Sequence, residues 1–111
     1  MKYFINVSEK NGSSYYEFYR GKWDGSSFWK EDSLLIHDDI MFIHGGFEEA
    51  LVMGVSHYDP FGPTEKSKEE SIQIGELIPD TDKESKEIYD EADKWLKKVF
   101  LEHECFTILG L

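Results

Sequence analysis

Ile88, Ala92, Trp95, Leu96 and Val99 fall on one face at helical spacing, and this stripe predicts a helix with a single buried side. Asp90 with Lys94 and Asp93 with Lys97 stand one turn apart on another face, acid before base, which adds local support. Thr81-Asp82-Lys83-Glu84 has a capping-box pattern at its start. Acids crowd the first turns and lysines the last, as the helix dipole prefers. Ser67-Lys68-Glu69-Glu70 carries the same pattern and leaves room for a second, short helix ended by Gly75 and Pro79.

The first twenty residues follow a shorter rhythm. Asn11-Gly12 supplies the two positive-φ positions of a type I′ turn between β-rich flanks, which predicts a hairpin. Centred there, Val7 faces Tyr16 and Ile5 faces Phe18 on an apolar side, with Asn6 opposite Glu17 and Ser8 opposite Tyr15 on the other. Asp24-Gly25 marks a further turn after Trp23 and feeds a third extended segment through Phe28 and Trp29 towards Leu34, Leu35 and Ile36.

Ile40 to Ile43 and Ala50 to Val55 are apolar runs too short for periodicity to separate strand from helix. The intervening Gly45-Gly46 and the bounding turn residues favour strands, with a helix from Asp38 through His44 as the alternative. Two prolines and a glycine between Asp59 and Thr64 end the sheet-forming half, and Cys105 to Leu111 reads as a final strand returning to the sheet. The expected fold is α+β over residues 1–111 as one domain. An antiparallel sheet of N-terminal hairpin, middle strands and C-terminal strand carries the long helix, and the short one, on one face.

Charge then changes the picture. Between Glu31 and Thr64 there are seven carboxylates and no Lys or Arg, in a chain whose net charge is −11. Such a block stores self-repulsion that a basic partner would relieve. The same balance argues against direct nucleic-acid binding, because the only positive cluster is Lys94, Lys97 and Lys98 on an otherwise acidic helix. The N-terminal residues lack the apolar core of a secretory signal, no apolar run approaches the ~20 residues of a membrane span, and Cys105 is the single cysteine. The expectation is a soluble cytoplasmic protein without an intrachain disulfide.

The chemistry of individual residues offers less. His37, His44 and His57 lie in the acidic block beside Asp38, Asp39 and Asp59, and His37-Asp38 with His57-x-Asp59 could supply a metal-ligand set. No spacing matches a zinc or two-metal signature, so the metal-dependent hydrolase stands as the alternative function and no metal or cofactor is expected. Cys105 follows His103-Glu104, but adjacency along the chain does not create a catalytic geometry, and free cysteines pack more often than they react. The acid pairs Asp38-Asp39, Glu48-Glu49 and Glu69-Glu70 give no sign of one desolvated and one exposed carboxyl, as acid–base catalysis needs. Gly45-Gly46 lacks the lysine of a phosphate loop.

A surface argument remains. Acids interleaved with aromatics are the ingredients of a tight interface to a basic protein. Glu31, Asp32, Asp38, Asp39, Glu48, Glu49 and Asp59, with Trp29, Tyr58 and Phe61, are the candidate partner-binding residues. In size and charge the chain resembles bacterial immunity proteins and antitoxins. That resemblance implies inhibition of a basic partner such as a nuclease toxin by covering its nucleic-acid-binding face. Protonation of the three histidines would partly cancel the block, so such binding is expected to weaken towards pH ~6. A further alternative is a structural or regulatory subunit that oligomerises through its terminal strand.

Overall fold

Leu34, Leu35 and Ile36 are all buried, so successive residues facing opposite ways along this segment each find cover. A strand buried on both faces belongs in the interior of a sheet. The computed structural model, which describes residues 1–43, 45–54 and 62–110, places it there. The elements run β1 (Phe4–Asn6), a 3₁₀ turn (Val7–Glu9), β2 (Tyr15–Arg20), β3 (Leu34–His37), α1 (Asp38–Ile43), α2 (Gly45–Gly54), β4 (Pro63–Ser67), α3 (Lys68–Leu77), α4 (Lys83–Val99) and β5 (Cys105–Leu109). The five strands form one antiparallel sheet in the order β1-β3-β2-β5-β4.

The α+β class and the strands from the N-terminus, middle and C-terminus match expectation, but the N-terminal pairing does not. β3 stands between β1 and β2, so Phe4 and Tyr16 each face Ile36, and the Val7–Tyr16 and Ile5–Phe18 pairs do not form. Val7 sits in the 3₁₀ turn. The alternation of residues 3–7 could be satisfied by either neighbour, and the doubly buried segment around Leu35 took the central place.

The middle strands are a second correction, because residues 38–43 and 45–54 are helical. Phe47, Ala50 and Leu51 are buried at helical spacing. Gly46 opens the second helix instead of breaking it: a Cβ there would collide with the Asp82 carboxylate and the Ser85 hydroxyl. Likewise α3 passes through Gly75, over which the ring of Tyr89 lies. Strand β4 begins within the proline-rich break that was expected to end the sheet. The expected third segment through Phe28 and Trp29 is extended only at Leu34–His37.

The front of the sheet carries Phe4, Tyr16, Phe18, Leu34, Ile36, Phe106 and Ile108, packed under Met41, Phe47, Leu51, Ile74, Ile88, Ala92, Leu96 and Val99 from the helices. Phe18 anchors this core, with Phe4 edge-on at 5.2 Å and Phe47 stacked at 6.5 Å. The capping box at Ser67 closes as the sequence indicated: Glu70 N–H donates to Ser67 Oγ and Ser67 N–H to Glu70 Oε1. The cap of α4 is Asp82, one residue after the expected Thr81.

The back of the sheet is covered by the segment 21–33, which contains no helix or strand. Tyr15, Glu17, Tyr19, Leu35, Thr107 and Leu109 are buried on this face, and Glu17, Tyr19 and Thr107 touch the segment directly. Strand β5 is paired on both sides, by β2 and β4, so it offers no free edge for a second copy.

Candidate functional site

The direction of α4 fixes where the acidic residues lie. Its early residues meet the start of β1: Glu91 accepts the backbone N–H groups of Lys2, Tyr3 and Phe4, and Glu87 accepts the Tyr3 hydroxyl at 3.0 Å. The Tyr3 hydroxyl and the Lys2 ammonium hold the Glu87 carboxyl below its ordinary pKa. Further along, Trp95 Nε1–H donates to the Asp32 carbonyl at 3.0 Å, at the opposite end of β3. The helix therefore spans the sheet from the end where β1 starts to the end where β3 starts.

This geometry splits the acidic block. Glu31 and Asp32 precede β3, whereas Asp38 and Asp39 follow it, and six residues at ~3.3 Å each put the two pairs roughly 20 Å apart. At the Asp32 end the charge is partly answered. Arg20 reaches Asp32 at 3.8 Å and Glu102 at 2.9 Å.

The remaining acids stand at helix starts. Asp38 and Asp39 lie in the first turn of α1, Glu48 in that of α2 and Glu84 in that of α4, and Gly46 packs directly on Asp82 and Ser85. Each helix start carries a partial positive charge of roughly one half, which favours acids there. Part of the block thus has a folding role that the sequence pattern concealed. Still, among the described residues Asp38, Glu48 and Glu49 make no ion pair with Lys or Arg. Asp39 lies 3.6 Å from His37 Nδ1, and the Asp39 N–H donates to that nitrogen at 3.0 Å, which occupies it as an acceptor.

Trp29 belongs elsewhere. It lies in the back-face segment, its N–H bonded to Glu17 Oε1 at 2.7 Å and the Lys10 ammonium over its ring at 4.7 Å. Tyr58, Asp59 and Phe61, with His44 and His57, lie outside the described residues. The structure sets Asp38 and Asp39 at the start of α1 and Glu48 and Glu49 in the first half of α2, and it separates Asp38 and Asp39 from Glu31 and Asp32 by the length of β3.

Two buried charged side chains escaped the sequence reading. Glu17 is 1% exposed and accepts from Trp29 N–H, Lys30 N–H and the Ser33 hydroxyl, the last at 2.6 Å. Its signal was present, since it is the single charge among Tyr15, Tyr16, Phe18 and Tyr19. Lys66 is fully buried on the front face beside Phe106, with Nζ 3.5 Å from the Leu51 carbonyl, and burial lowers its pKa to about 8. Nothing local marked it, because β4 itself was not foreseen.

Catalytic chemistry gains no support from the described geometry. Burial, together with Glu65 and Glu104, raises the Cys105 thiol pKa, which disfavours the nucleophilic thiolate. Among the described residues no three His, Cys, Asp or Glu side chains cluster as a metal site would require. No described helix is long and apolar enough to cross a membrane. No family model, curated protein or solved structure matches the chain.

Proposed function

We propose that this is a small acidic binding protein that neutralises a basic protein partner, of the immunity-protein or antitoxin kind, with a nuclease toxin as that partner. The supporting observation is that Asp38 and Asp39 open α1 and Glu48 stands in the first turn of α2, whose Gly46 packs on Asp82 at the start of α4, where Glu84 adds its own charge. Carboxylates held on helix starts are positioned by backbone, not by long flexible side chains. They can stand in for the phosphates that a nuclease's Lys and Arg expect. Association steered this way is fast and weakens with salt.

The test compares the two acidic ends. A basic protein captured from the source organism at low salt is purified, and its affinity and nuclease activity are measured against D38K/D39K, E48K/E49K and E31K/D32K. The reading expects loss of inhibition in the first two variants and a smaller effect in the third. It is overturned if no basic protein is retained, or if all three variants inhibit like the parent.

A further inference from the structure

A groove of about 480 Å³ lies between α4 and the start of the chain. Met1, Leu34, Glu91, Lys94, Trp95 and Lys98 line it, and its volume lies within the ~300 to 1,000 Å³ of small-molecule sites. We propose that this groove binds a small phosphate monoester carrying a flat apolar ring.

The charges inside it are unequal in availability. Glu91 is the acid of the groove, and its carboxylate is already occupied by the N–H groups of Lys2, Tyr3 and Phe4 at 2.9 to 3.2 Å. Asp32, whose carbonyl accepts from Trp95, and Glu102, three residues past the end of α4, are engaged by Arg20. Asp90 stands one turn before Lys94, and neither it nor any other described acid makes an ion pair with Lys94 or Lys98. Lys97, by contrast, pairs with Asp93 at 3.3 Å.

Lys94 and Lys98 are one helical turn apart, a spacing at which like charges repel and at which two ammonium groups reach the same ligand atom cluster. A phosphate monoester carries close to two negative charges at neutral pH and presents acceptor oxygens to both. It relieves the repulsion that the bare pair maintains.

Trp95 supplies the second half of the recognition. Its ring is half-buried and held in place twice, by the bond from Nε1–H to the Asp32 carbonyl and by an edge-on contact with Phe106 at 6.4 Å. A flat ring laid against a side chain already fixed loses little freedom on binding. Met1, whose side chain is largely exposed beside it, is unbranched and polarisable, and adapts to the ligand's outer surface.

The test follows the indole N–H resonance of Trp95, assigned with W95F, while phenyl phosphate is added to about 10 mM. A saturable shift is expected, with affinity at least about tenfold weaker in the K94Q/K98Q variant and weaker for inorganic phosphate or phenol alone. Both substitutions are at exposed helix positions, so unchanged resonances elsewhere show that the fold is kept. An unmoved indole resonance, an equal response in the double variant, or inorganic phosphate binding as tightly as phenyl phosphate overturns the proposal. Nothing in this result depends on whether the acidic end binds a protein.

Discussion

The two faces of the sheet are closed by different physics. The front is closed by helices through a broad apolar contact in which Phe18, Phe47, Ile88, Leu96 and Phe106 share the work with many neighbours. The back is closed by the segment 21–33, which is held by separate polar contacts: three donors on the buried Glu17 carboxylate, Thr107 Oγ–H on the Gly21 carbonyl and Trp95 Nε1–H on the Asp32 carbonyl. Apolar contact distributes its stabilisation over area, so losing one side chain leaves the rest in place. A carboxylate serving three donors is indivisible, because removing it strands all of them at once.

Glu17→Gln should therefore be the most damaging conservative change in the molecule. The amide keeps the shape but turns a donor towards donors, and a loss of roughly 3 to 5 kcal/mol in urea unfolding is expected. Loss of protection in the amide exchange of residues 21–33 should accompany it. A loss below about 1 kcal/mol would mean the back face is held by its aromatics, and the contrast between the faces would fail.

Lys66 tests the front face for the opposite reason, as a charge placed in the apolar contact. Its pKa falls from 10.5 to about 8, so the folded protein releases this proton more readily than the unfolded chain. The unfolded state then binds more protons between those values, and stability rises as pH increases from about 8 towards 10.5, the cost being fully present below 8. Lys66→Met should remove that rise, a difference of about 2 to 3 kcal/mol across the window, read by unfolding at pH 7.5 and pH 10. Parallel pH profiles for the two proteins would refute it.

Gly46→Ala probes the contact of α2 with the start of α4, and the added methyl should cost about 1 to 3 kcal/mol by displacing Asp82 and Ser85. A fully tolerated alanine would show that this junction yields. Ser67→Ala removes only the α3 cap and should cost about 1 kcal/mol, seen as a small drop in the thermal midpoint.

The elements legible in the sequence were those whose evidence is local. The stripe from Ile88 to Val99 and the capping box at Ser67 are satisfied within a few turns of chain, and both formed as read. Residues 38–54 were not legible because Gly45-Gly46 has two opposite uses, helix breaker and close-contact surface, and only Asp82 and Ser85, far along the chain, decide between them. The N-terminal hairpin failed for a related reason: the pattern of residues 3–7 specifies a face, and a face does not specify a neighbour. The candidate site was half legible. The sequence showed which residues carry the charge, but the six-residue separation across β3 that divides them needed the strand to be known.

Glu91 has a meaning for the sheet as well as for the groove. An edge strand with free N–H groups invites another polypeptide to add on and extend the sheet, the first step of aggregation. Here the three-residue β1 has the N–H groups leading into it taken by a carboxylate from α4, and the far edge strand, β4, opens with Pro63, which has no N–H to offer. The same helix that builds the core thus guards the rim, and a substitution such as Glu91→Gln would be felt first as a tendency of the protein to associate with itself in concentrated solution.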